Sequence, residues 1–207
     1  MVRDCLTPIT LENFDMVYQR VSRDFPDNEH PPYGAMRSRT KRGVSEGFLF
    51  QADGVDCAYV FTVTEPEQNM VLLYLLAVYE EYRGSGIGGR LMKALEEQFA
   101  QTAGILIEVE KPELAQSEEE RRTRTRRIAF YERAGYKMVS GFEYYSIWDV
   151  PYHIMALPRS RAMEDLESGA SAALRGAYLK LIGQKNIHKL VIRAQAQKFT
   201  DEKENAT

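Results

Sequence analysis

The segment from Met70 to Tyr79 is apolar at every position. Unbroken hydrophobicity of this length suits a strand buried on both faces of a sheet, and it falls far short of the ~20 residues that span a bilayer. The period then changes. From Gly86 to about Thr102 the apolar residues Ile87, Leu91, Ala94, Leu95 and Phe99 recur at helical spacing. Between strand and helix lies Tyr82-Arg83-Gly84-Ser85-Gly86-Ile87-Gly88-Gly89-Arg90-Leu91. Glycines let backbone N–H groups converge without a Cβ in the way, and the helix start adds unpaired N–H groups and a positive dipole end. Such a turn suits a phosphate or pyrophosphate, with Ile87 anchoring it to the core.

Elements on either side alternate. Val2–Leu6 reads as an edge strand and Leu11 to about Phe25 as a helix behind Thr10. A short helix follows over Tyr33–Arg42. Gly47–Ala52 and Asp56–Thr64 read as strands joined by Asp53-Gly54, a hairpin signal. Ile105–Glu110 is strand-like. Ser117-Glu118-Glu119-Glu120 opens a helix with a capping-box pattern, and Gly135 closes it. Tyr136–Val139 and Tyr152–Leu157 are late strands. From Arg159 the text turns helical, with Gly183 dividing it and Thr200–Thr207 frayed. This predicts an α/β chain (an α+β mixed sheet) in residues 1–158 and a helical C-terminal extension in 159–207.

Three phosphate-binding patterns compete for the glycine turn. A P-loop is excluded, because no Gly-Lys-Ser/Thr follows. Gly84, Gly86 and Gly89 do spell the dinucleotide string G-x-G-x-x-G, with Glu108 or Glu110 about 20 residues on. That fold, however, wants its first glycine directly after the strand, and here Glu80 to Arg83 intervene. The third pattern, Arg83-x-x-Gly86-x-Gly88, resembles the pyrophosphate loop of the GNAT superfamily of acyl-CoA-dependent N-acyltransferases. Val78-Tyr79-Glu80-Glu81-Tyr82-Arg83-Gly84 resembles that family's approach to the loop. Ile128-Ala129-Phe130-Tyr131-Glu132-Arg133-Ala134-Gly135-Tyr136 resembles the end of its second conserved helix. The resemblance covers about Val2 to Leu157. It departs at Arg124 and Arg127, where the family often has Asn and Ala.

The resemblance implies a GNAT-like fold whose central parallel strands splay around an acyl-pantetheine. Backbone groups of Leu76 and Val78 match the positions that hold the pantetheine, and the Val78 N–H would polarise the thioester. Loop amides from Gly84, Ser85, Gly86, Ile87, Gly88 and Gly89, next to Arg83, would hold the pyrophosphate of acetyl-CoA. Tyr131 occupies the family's general-acid position. The implied reaction is direct acetyl transfer to an amine.

For the base, Glu108 and Glu110 share one strand face by period two. Proximity of two carboxylates raises the pKa of one; Glu110 is favoured as nearer the open end, with a rim ion pair as the competing reading. The run Arg121, Arg122, Arg124, Arg126, Arg127 reads as a solvated face, or as a grip on the 3′-phosphate of CoA through Arg124 and Arg127. Acidic residues Asp24, Asp27, Glu29, Glu143 and Asp149, with walls from Tyr33, Tyr144, Tyr145 and Trp148, would receive a small polar amine or an amino-acid-like acceptor rather than a protein tail.

With 27 basic against 30 acidic residues and a net charge of −3, no basic excess points to nucleic acid. Cys5 and Cys57 read as free buried thiols, and His30, His153 and His188 are isolated, so no metal is expected. The N-terminus carries no apolar secretory pattern. A cytoplasmic acetyltransferase without membrane partners, monomeric or homodimeric, is the expectation. The alternatives are a non-catalytic CoA-binding regulator and a dinucleotide-binding oxidoreductase.

Overall fold

A computed structural model describes residues 4–26 and 30–194. Among these, nine strands form one sheet flanked by five helices. In chain order they are β1 (Cys5–Pro8), α1 (Phe14–Asp24), α2 (Tyr33–Lys41), β2 (Glu46–Ala52), β3 (Val55–Glu65), β4 (Met70–Val78), α3 (Ile87–Gln98), β5 (Gly104–Glu110), α4 (Glu118–Arg133), β6 (Lys137–Met138), β7 (Phe142–Ile147), β8 (Val150–Pro158), α5 (Met163–Asn186) and β9 (Leu190–Ala194). The sheet runs β1-β2-β3-β4-β5-β8-β7-β9, with β6 also paired to β8. β4 and β5 are parallel, while every other pair is antiparallel. This is a mixed sheet rather than a doubly wound one, which removes the context a dinucleotide fold requires.

The Asp53-Gly54 turn joins β2 to β3 with positive φ at both residues, as tight hairpins between twisted strands demand. Ser117 caps α4 by accepting from the Glu120 N–H at 3.1 Å. The reciprocal bond differs from a standard capping box: the Glu120 carboxylate accepts from the N–H of Gln116. Gly135 ends the helix at φ 89°.

Three apolar clusters fill the molecule. On one sheet face, α3 and the last turns of α4 pack on alternate residues of β4 and β5, among them Val71, Leu73, Ile105, Ile107 and Val109. On the other face, α1 and α2 cover β2–β4 through Phe14, Val17, Tyr59 and Phe61. Beside them α5 covers β4, β5, β7 and β8 through Leu166, Leu174, Leu72 and Leu106. The expected C-terminal helix is therefore present and shares a core with the sheet.

Two expectations need correction. The extension is not helical throughout. Gly183 breaks α5 at φ 75°, and Leu190–Ala194 forms β9, paired to β7 at the sheet edge. Alternating burial of a short edge strand looks like one helical turn when only a few residues carry it. Cys5 is exposed, while Cys57 is a buried free thiol. The expectations for Val2, Asp27, Glu29 and Thr200–Thr207 lie outside the described residues.

Leu174 is 0% exposed in the core shared by α5 and the sheet. We expect Leu174→Ala to lower unfolding stability by about 2–5 kcal/mol. Denaturant titration followed by fluorescence and circular dichroism should show one shifted transition. A shifted helical transition with an unmoved sheet transition would mean that the helix folds apart from the sheet.

Candidate active site at the strand fork

β4 and β5 pair only from Met70↔Gly104 to Leu73↔Ile107. β4 nevertheless continues to Val78 and β5 to Glu110, so the two strands part beyond Leu73 and Ile107. The cause lies on the other side of β4. There Thr62 pairs with Leu73 and Phe61 with Leu75, leaving Tyr74 as an extra residue without a partner in β3. An extra residue bends its strand and increases the local twist. Here that swings β4 away from β5.

The backbone lining the opening follows from alternation. The Tyr79 N–H donates to Cys57 O at 2.9 Å, so Tyr79 points toward β3. Residues one and three earlier, Val78 and Leu76, then turn their N–H and C=O groups away from β3 into the fork. The Val78 carbonyl accepts from Arg83 Nε at 3.0 Å. The same guanidinium reaches Asp24 at 3.2 Å. Asp24 also accepts from the Tyr59 hydroxyl. Arg83 thus ties the loop to α1 and the end of β4, and Asp24 is committed to that tie.

The glycine turn stands at the far end of β4. Gly84 and Gly86 have φ of 79° and 86°, accessible to glycine at little cost. Gly86 is the residue before α3, and Ile87 is buried beneath it. A Cβ on Gly88 would come within 3.1 Å of the Phe130 ring, so this glycine permits α3 and α4 to approach closely. Gly89 faces open space, and the Ser85 hydroxyl donates to Tyr82 O at 2.6 Å. Several N–H groups at the start of α3 have no intrahelical partner, an arrangement suited to an anion.

Glu108 sits at the apex of the fork, the first β5 residue past the last β4 pair. The Tyr145 hydroxyl donates to Glu108 Oε1, and the Tyr178 hydroxyl lies 2.8 Å from both carboxylate oxygens. Burial raises the Glu108 pKa above the usual carboxylate range, and the two phenols partly oppose that rise. Both phenols are themselves held protonated by burial and by the adjacent carboxylate.

Glu110 has a different environment. Arg127 approaches it at 2.5 Å and Arg124 at 3.3 Å. Arg124 also binds Glu120 and donates to Lys111 O. The expected sharing of a site by the two glutamates is therefore corrected: burial, not Glu110, shifts Glu108. The arginines that the sequence offered to a phosphate are engaged with carboxylates.

Tyr131 belongs to the α3–α4 side, in the cluster containing Leu76, Val78 and Ile107. Its ring stands against Phe130 and Tyr136. Burial raises its pKa, keeping the phenol protonated. Glu108 and Tyr131 therefore address the fork from opposite faces.

Of the acceptor-side residues named from sequence and described in the structure, only Tyr145 joins this cluster. Tyr33 donates to Asp15, Tyr144 stacks under Arg193, and Trp148 is exposed in the β7–β8 turn. Tyr178 and Tyr74 escaped sequence reasoning. One looks like any apolar position of an amphipathic tail, and the other like any residue of the central strand. Among the described residues no cluster of His, Cys, Asp and Glu could hold a metal, and no helix is long and apolar enough to cross a membrane.

Comparison with known proteins gives a domain likeness and a shared fold. Residues 45–138 match the model of the acetyltransferase (GNAT) domain. No curated protein sequence matches the chain. A GNAT-family protein of Bacteroides thetaiotaomicron, described as an acetyltransferase, superposes with TM-score 0.71 at 21% identity, over 88% of this chain and 99% of that one. The ribosomal-protein-S18-alanine N-acetyltransferase of Escherichia coli gives 0.55 at 22% identity, over 77% and 96%. The aminoglycoside acetyltransferase AAC(6')-Ib, in complex with acetyl-CoA, gives 0.58 at 16% identity, over 76% and 94%. These likenesses concern the fold, while the matched domain spans the bulge, the glycine turn, the fork and Tyr131. Residues 45–138 thus carry the likeness to the GNAT acetyltransferase domain, and the chain around them shares its fold.

Proposed function

We propose that this enzyme transfers an acetyl group from acetyl-CoA directly to the primary amine of a small polar acceptor. The observation that carries the reading is the fork, with a glycine turn at its open end and a buried carboxylate at its apex. The pyrophosphate of CoA would rest on the amides from Gly84 to Gly89, and the pantetheine would run back along Leu76 and Val78. The N–H of Val78, or that of Leu76 two residues nearer the apex, would meet the thioester oxygen as negative charge develops.

Glu108 takes the proton from the acceptor ammonium. The freed lone pair attacks the thioester carbonyl carbon, forming the C–N bond, and collapse of the tetrahedral intermediate breaks the C–S bond. Tyr131 gives its proton to the departing thiolate and regains one from the new amide nitrogen, while Glu108 releases its proton to solvent. A carboxylate with a raised pKa is a stronger base than an ordinary one, which favours Glu108 over the arginine-bound Glu110. We assign the catalytic domain to residues 1–158, with 159–207 as an extension that contributes Tyr178. We place the enzyme in the cytoplasm as a monomer or homodimer, without nucleic-acid or membrane partners.

Three measurements bear on this reading. Tyr131→Phe is expected to lower kcat by about 10²-fold, with acetyl-CoA affinity nearly unchanged. Equal turnover by the variant would remove the acid role. Glu108 becomes a base only as pH rises through its raised pKa, so kcat/KM should climb with pH through a value above ~4.3. Glu108→Gln should abolish that limb; a profile identical to wild type would shift the role elsewhere. Gly86→Val should eliminate acetyl-CoA binding by calorimetry, because φ of 86° is strained for a β-branched residue. Retained binding with intact circular dichroism would take the loop out of the account.

A further inference from the structure

Two charged groups of opposite sign, the half-buried Glu108 and the buried Arg39, lie on the α1–α2–α5 side of the fork, and neither has an oppositely charged partner among the described residues. One is Glu108, whose hydrogen bonds come from the neutral phenols of Tyr145 and Tyr178. The other is Arg39 on α2, only 9% exposed. Its guanidinium lies beside the phenol of Tyr74, the bulged residue where the strands part, and within electrostatic range of Tyr178. The Tyr74 hydroxyl is in turn 2.8 Å from that of Ser45. A buried cation surrounded by neutral hydroxyls is costly to keep unless something neutralises it. The same holds for a buried carboxylate. These two groups form no ion pair with each other; Tyr178 bonds the first and lies within electrostatic range of the second.

We infer that the acceptor is an amino-acid-like molecule, a small amine that also bears a carboxylate, with its amine directed to Glu108 and its carboxylate to Arg39. This rests on the acetyl-transfer reading given above and narrows it. Such a ligand neutralises both charges at once, and charge-assisted hydrogen bonds to a guanidinium favour a carboxylate over a neutral amide. A polycation, by contrast, would bring a second positive charge toward Arg39, which penalises it. The aminoglycoside enzyme that shares the fold therefore does not foretell the acceptor here.

The test measures CoA thiol release by the full chain with free amino acids, each beside its own carboxamide, and with spermidine as a polycation. The expected result is a kcat/KM at least about 10-fold higher for amino acids than for their carboxamides, with spermidine poorer still. Arg39→Gln should raise KM for the amino acids and bring the ratio toward one. If that variant fails to fold, the wild-type ratio decides alone. Turnover that favours carboxamides or spermidine overturns the inference and leaves acetyl transfer standing. Thiol release with no amine at all, despite acetyl-CoA binding, overturns the transfer reading and this inference with it.

Discussion

A single unpaired residue governs the geometry of the site. Were Tyr74 absorbed into the β3–β4 ladder, β4 would run straight beside β5 and the two would pair to their ends. The extra residue instead puts Tyr74 and Leu75 toward the same face and turns the outer half of β4 aside. Pairing with β5 ends at Leu73, and backbone groups that would have joined a ladder face an opening. Buried backbone groups need partners, so such an opening is hospitable to a ligand that carries amides of its own. The glycine turn continues the same design with N–H groups for an anion.

The apex of the fork also sets the acidity of one carboxylate. Glu108 is not a surface acid that happens to be near. Two phenols fix its orientation, and burial weakens its acidity. This environment has a stability consequence. A carboxyl whose pKa is raised by folding favours the native state at low pH, and that contribution is lost as pH rises through the folded-state value. The proposed base is therefore held at some expense to stability, as functional groups commonly are.

Much of this was legible in the sequence because local rules sufficed. The apolar run, the glycine turn, the Asp53-Gly54 hairpin and the Ser117 cap each depend on residues within a few positions of one another. The partners of Glu108 do not. Tyr145 is 37 residues away and Tyr178 is 70 away, so no spacing announces them. The same limit explains why Glu110 looked like the better base: alternation fixes which face a side chain takes, but not which arginine from the next helix will meet it. The strand β9 was hidden for a related reason. Its few apolar residues acquire period two only by pairing with β7.

Chain order gives Tyr178 a meaning beyond its hydrogen bonds. The bulge, the glycine turn, Glu108 and Tyr131 are all synthesised before it. A nascent chain emerging in sequence presents β1 to β8 and the fork while the carboxylate at its apex still lacks one of its two phenols. Only docking of the final long helix completes that environment. The environment of the proposed base is thus completed late in synthesis, and a product truncated within α5 would lose both Tyr178 and the core that this helix shares with the sheet.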